Sequence, residues 1–216
     1  MCGRFAQYSD IRSRFDIEEE EGLNLPASYN VAPGQVAKVI LQLDKMVIKP
    51  MKWGLVTDWS KERSYKLINV RTETLLNRKT FYNQFKLHRC LIPVDGFYEW
   101  KQVEDRKIPY YITRKDKELL LLAGLWNVTE GTFGNGSYSF SIVTTGANIL
   151  ISEVHDRMPV IIQEKHLDTW LDTLHFNRDV LKSLLLPFSE ESIEIYPVSY
   201  LVNSPANNFR ELIEPV

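Results

Sequence analysis

Apolar and polar positions alternate in some stretches of the chain and recur at helical spacing in others. Residues 36–43 and 46–48 read as two strands of a hairpin turning at Asp44-Lys45. Residues 90–94, 110–113, 119–125 and 138–144 are rich in β-branched and aromatic side chains and predict further strands. Residues 131–136, bounded by Gly131 and Gly136, predict a loop between the last two. Helical spacing is rarer. Ser9 can cap a short helix through Phe15, with Ile11 and Phe15 four apart on one face. Residues 75–86, 147–154, 165–171 and 178–185 carry the remaining helical patterns. Strands with interspersed helices and no regular βαβ alternation predict an α+β fold. A closed, barrel-like sheet would dispose of its strand edges. No internal repeat or low-complexity linker breaks the 216 residues, so one domain over 1–216 is expected.

Composition adds a large core and an aromatic surplus. Hydrophobic residues make up 44%, and ten Tyr, ten Phe and five Trp can serve packing or stacking on bases. The net charge is only −2, but residues 16–21 alone hold five of the 28 acidic side chains. The rest of the chain counts 26 basic against 23 acidic residues, which allows a modest basic groove and excludes a polybasic arm. Cys2 and Cys90 fit no zinc spacing and no disulfide framework, so neither a metal nor a cofactor is expected. The first residues turn acidic too early for a secretory signal. The longest apolar run, 119–126, falls far short of the ~20 residues that span a bilayer. A cytoplasmic, reducing setting is the expectation, and the sequons at Asn127 and Asn135 read as chance matches.

Four stretches set strongly polar residues in apolar context: "CGRF" at the start, "INVRTET" (68–74), "LIPVDGFYEW" (91–100) and "VHDRMPV" (154–160). Glu99 lies between Tyr98 and Trp100, where an apolar wall would raise its pKa toward use as a general acid or base. The plainer reading of this stretch alone is an ordinary surface residue at a strand end. His155 has the pKa range for proton transfer, or is a helix C-terminal histidine favoured by the dipole. Asn69 reads as a site residue or a hydrogen-bonded turn residue. Arg4 and Arg71 read as surface ion pairs or as forks on phosphate. Cys2 is peculiar by position. Once Met1 is removed it carries a thiol and a free α-amine two carbons apart, a pair that can close a five-membered ring on one aldehyde carbon.

Read in order, "MCGRF", "YNVAPGQ" (29–35), "WGL" (53–55), "INVRTET", "RCLIPVDGFYEW" (89–100), "AGLW" (123–126), "HDRMPV" and "ELIEPV" resemble the SOS response-associated peptidase (SRAP) family of abasic-site processing proteins. The motifs run from residue 2 to residue 216. The resemblance implies an SRAP fold with a mainly antiparallel, barrel-like core surrounded by helices. It implies a reversible thiazolidine crosslink between Cys2 and abasic sites in single-stranded DNA, shielding the lesion from strand cleavage, by a monomer without metal or cofactor. Carried over onto this chain, it makes Cys2 the nucleophile, Asn69 the holder of the sugar or the reacting amine, and Glu99 the proton-transferring carboxylate. His155 would stabilise the ring-opened sugar and take part in reversal. Arg4 and Arg71 would hold phosphates, and Pro33, Trp53 and Trp59 would line the DNA groove. "WGLVTDW" departs from the family pattern, in which many relatives carry a proline between Leu and Trp. Two other readings stand beside this one: a cysteine peptidase with an N-terminal nucleophile, acting on its own Met1–Cys2 bond or on other proteins, and a non-catalytic single-stranded DNA-binding module.

Overall fold

A computed structural model describes residues 2–15, 17–19, 25–57, 67–129 and 136–216. Its strands are β1 (Arg4–Gln7), β2 (Glu18–Glu19), β3 (Ser28–Val31), β4 (Val36–Gln42), β5 (Met46–Trp53), β6 (Asn69–Arg71), β7 (Arg89–Val94), β8 (Gly96–Val103), β9 (Arg106–Arg114), β10 (Leu120–Thr129), β11 (Ser137–Gly146), β12 (Arg157–Pro159) and β13 (Ile193–Pro197). Short helices flank them: α1 (Ile11–Phe15), α2 (Thr72–Asn77), α3 (Tyr82–Leu87), α4 (Ile149–Ser152), α5 (Leu167–Leu171) and α6 (Arg178–Ser183). The fold is α+β.

Strands β11, β10, β7, β4 and β5 pair antiparallel in that order. The ring closes where β5 returns to β11 in parallel, through Ser139↔Lys52 and Phe140↔Trp53. β6 continues that parallel pairing further along β11, with Ile142↔Asn69 and Thr144↔Arg71. A separate five-stranded sheet runs β13-β9-β8-β1-β3.

Two-residue alternation sorts the barrel side chains into two cores. Val39, Leu41, Cys90, Ile92, Leu120 and Leu122 face one cluster, shared with Phe5, Phe97 and Ile112 of the five-stranded sheet. Ile40, Leu91, Leu121, Ala123 and Leu125 face the other, against Leu75, Phe85, Trp170 and Leu181 of the helices. The continuous apolar run at 119–126 is thus a strand buried on both faces, which is why it shows no polar alternation.

Several expectations are corrected. The second hairpin strand does not end at residue 48 but runs through Pro50 to Trp53. Trp53 N–H donates to Gln35 on the β4 side, so alternation turns the Pro50 nitrogen the other way, where no ladder bond to β4 is lost. The helix expected over 75–86 is two helices separated at Arg78, whose backbone is extended. Helix α1 has its first-turn N–H at Arg12 bonded by Asp10, not Ser9, because Ser9 bonds Asp95 instead. The predicted loop at 131–136 lies outside the described residues except for Gly136.

Candidate active site

The site begins with the turn that launches β8. Asp95, buried, accepts the backbone N–H groups of Tyr8 (2.6 Å) and Ser9 (3.2 Å) and donates its own N–H to Ala6. This locks the turn between β7 and β8 onto the end of β1. Gly96 follows because nothing larger fits: a Cβ there would stand 2.4 Å from Tyr111 Cζ and 2.7 Å from the Ile112 carbonyl oxygen. β8 then runs antiparallel to β1, with Phe5↔Phe97 and Arg4↔Tyr98.

One more step along that ladder sets Gly3 beside Glu99. Phe97 belongs to the core shared with Cys2, while Tyr98 and Trp100 belong to the opposite face. Alternation therefore turns Glu99 inward with Phe97. Its apolar surroundings are not the Tyr98 and Trp100 rings, as its sequence neighbours suggest, but the core cluster on the other face. Trp100 Nε1 instead donates to Asn203 Oδ1 at 2.7 Å. Glu99 is only 2% exposed, and this burial pushes its carboxyl up to about 7, with the charge of Asp156 acting in the same direction. The surface reading of Glu99 is excluded.

Cys2 is fully buried. Burial drives its thiol far above the ordinary range and the nearby Glu99 charge adds to the effect, so the sulfur is a neutral thiol at neutral pH. Asn69, the first residue of β6, donates from Nδ2 to the Cys2 carbonyl at 2.8 Å. Asn69 Oδ1 is buried and has no hydrogen-bond partner among the described residues, which leaves an acceptor at the site. Cys2, Asn69 and Glu99 therefore converge from β6, β8 and the segment ahead of β1.

His155 enters from the turn after α4. Asn148 caps that helix through the Ile151 N–H, and the His155 N–H closes it on the Ile151 carbonyl. Nδ1 accepts the Arg157 N–H at 3.0 Å, which leaves the proton of the neutral ring on Nε2. The same nitrogen lies 2.8 Å from Asp156 Oδ1, a contact that is attractive only when Nδ1 itself carries a proton. Burial lowers the His155 pKa, so the neutral ring prevails at pH 7.

The outer residues divide. Arg71 is exposed at the end of β6. Pro33 is exposed at the tip of a type II turn, closed by Gln35 N–H to the Ala32 carbonyl (3.1 Å) with Gly34 at φ 87°. Arg4 donates to Asn30 Oδ1 (2.9 Å) and to the carbonyls of Val202 (2.7 Å) and Asn203 (3.1 Å), tying β1 to the C-terminal segment. Trp53, expected in the DNA groove, is a core residue. It is fully buried beside Phe5 and Phe140 (centroids 5.0 and 6.2 Å) and donates Nε1 to the Ile68 carbonyl. Trp59 and Met1 lie outside the described residues.

Sequence reasoning missed Arg157 and Glu73. Arg157 grips Glu73 with both terminal nitrogens (2.8 and 3.1 Å) and donates to the Thr144 carbonyl (2.7 Å), fastening the His155 turn to the helix that follows Arg71. Both lie inside motifs singled out from the sequence, but only three-dimensional pairing links them. Among the described residues, no three or more His, Cys, Asp or Glu side chains cluster as metal ligands, and no helix is long and apolar enough to cross a membrane.

The sequence matches the family model described as SOS response associated peptidase (SRAP) over residues 1–205. The abasic site processing protein YoqW of Bacillus subtilis (strain 168) is 42% identical over 226 residues, covering 99% of both chains. The abasic site processing protein YoaM of the same organism is 40% identical, covering 99% of this chain and 98% of its own. A crystal structure of a protein from Bacteroides thetaiotaomicron superposes with a TM-score of 0.88 over 100% of both chains at 23% identity, which shows a shared fold.

Proposed function

The chain belongs to the SOS response associated peptidase (SRAP) family, and from that premise we propose that it captures abasic sites in single-stranded DNA as a covalent, reversible adduct on Cys2. An abasic deoxyribose opens to an aldehyde at C1′. After hydrolytic removal of Met1, the Cys2 α-amine, with a reference pKa near 7.7–8.0, is partly unprotonated at neutral pH. It attacks the aldehyde carbon, and loss of water leaves an iminium. The thiol sulfur then bonds the same carbon and gives up its proton, closing a thiazolidine. Aldehyde and aminothiol become thiazolidine and one water, with no oxidation or reduction.

The observation that supports this reading is the pairing of a neutral, buried Cys2 thiol with a carboxyl held near 7. A thiol that cannot ionise unaided needs a base as it adds, and water cannot leave the first adduct without an acid. A carboxyl with its pKa near ambient pH can serve both steps in turn. Asn69 holds residue 2 by its carbonyl and offers Oδ1 to the amine. His155, neutral with its proton on Nε2, serves the sugar hydroxyl in opening and in reversal. Arg71, exposed at the end of β6, would take a flanking phosphate beside the exposed Pro33 turn, and Arg4, whose terminal nitrogens bond Asn30, Val202 and Asn203, would add its positive charge to the same path. All four reacting side chains come from one chain, so a monomer suffices.

The test is incubation with single-stranded DNA carrying one abasic site, followed by a denaturing gel and intact mass. Wild type should give a heat-stable adduct. Cys2→Ser keeps the amine and should give only a Schiff base that borohydride traps. A heat-stable adduct from the serine variant would overturn the thiazolidine, and peptide cleavage without any adduct would favour a peptidase instead.

A further inference from the structure

Outside the reacting centre, a cleft of about 430 Å³ opens across β4, β5 and β11, lined by Val36, Lys49, Pro50, Lys52, Ser137 and Tyr138. We propose that it is a second nucleic-acid subsite, holding a base and phosphates of the single strand that flanks the lesion. The inference rests on the covalent-capture reading and extends it to the length of strand engaged.

The lining has the composition such a ligand needs. Two lysines supply positive charge in a chain whose net charge is −2, and no acidic side chain lines the cleft among the described residues. Tyr138 ends an aromatic stack that runs from His88 through Trp126, with centroids 4.6 and 5.9 Å apart and planes within 28°. This backing fixes the Tyr138 ring, so a base stacking there meets a rigid platform. Lys49 Nζ stands 4.4 Å from the ring centroid. A cation over an exposed ring contributes only a few-fold to an equilibrium, whereas a base on an aromatic ring contributes about tenfold to a hundredfold. A base can therefore take the place of the ammonium over the ring, with Lys52 in the same lining to meet the adjoining phosphate.

The cleft is also in line with the site. Extending the β1–β3 ladder from Phe5↔Val31 sets the Pro33 turn beside Gly3. The same turn bonds Trp53 through the Gly34 N–H (2.7 Å) and leads directly into Val36, which pairs with Lys52. A strand leaving Cys2 over Pro33 arrives at Lys52 and Tyr138.

The experiment lengthens an abasic oligonucleotide one nucleotide at a time on either side and measures the protein concentration for half-maximal crosslinking. Wild type should show a step of about tenfold on one side only, when the strand reaches the cleft. Tyr138→Ala should lose that step and Tyr138→Phe should keep it. The double variant Lys49→Gln with Lys52→Gln should flatten the dependence of log K on log salt by about 0.7 per lysine. Should Tyr138→Ala fold poorly, the lysine variant still decides, since it alters side chains at the surface. Wild-type adduct without a length step, or a step that survives in every variant, would overturn the subsite alone. No adduct with any oligonucleotide would instead overturn the capture reading.

Discussion

Glu99 is the residue whose surroundings set a pH window. Its carboxyl titrates near 4.3 in an unfolded chain and near 7 in the folded protein, because burial disfavours the charge. Between those values the folded state binds the extra proton, so stability falls as pH rises. The contribution is complete below about pH 4.3 and is lost as pH passes through 7. Glutamine is nearly the same shape and cannot ionise. Glu99→Gln should therefore be more stable than wild type at pH 8, by up to about 4 kcal/mol, and the gap should close toward pH 5. Thermal melts across that range check it, and a gap that does not change with pH would show that ionisation is not the cause. A fold that gains stability on losing a buried carboxyl is holding an unfavourable charge.

At the scale of elements, β8 carries the site and Gly96 starts it. Gly96→Ala would press a methyl into the Tyr111 ring and the Ile112 carbonyl, and should cost about 1–3 kcal/mol. Because Glu99 lies three residues along the same strand, crosslinking should slow even at temperatures where the variant is folded. Circular dichroism and single-turnover gels measure the two effects, and normal crosslinking in a destabilised variant would separate them. The same strand shows where sequence legibility ends. β7, β10 and β11 are readable because long β-branched and aromatic runs are buried on one or both faces. β1, β3 and β8 are not, because Arg4, Asn30 and Glu99 interrupt them and their pairing partners lie far off in sequence. Cys2 is legible from its position alone. The bond from Asn69 to the Cys2 carbonyl, and the grip of Arg157 on Glu73, need the folded pairing of β6 and β12 on β11 to exist at all.

On the scale of the whole molecule, the two ends of the chain are sewn together. Asn30, buried, donates to the carbonyls of Val202, Ser204 and Asn207 (2.9–3.2 Å) and accepts from Arg4. Asn30→Ala takes that donor from the Ser204 and Asn207 carbonyls, while Arg4 still holds Val202 and Asn203, and should cost about 2–3 kcal/mol. Hydrogen exchange should then quicken across residues 198–216 and along β1, and protection unchanged in β1 would contradict the coupling. The burial of Cys2 also has a consequence in time. The pocket around it is assembled from residues 69, 99 and 155, which leave the ribosome after it. At ordinary synthesis rates roughly 8–30 s pass between residue 2 and residue 155. Through that interval Cys2 has no Glu99 or His155 to enclose it, so its thiol stands in the open. Enclosure of Cys2 is therefore timed by translation: it waits for residue 155, and a slower ribosome lengthens the wait.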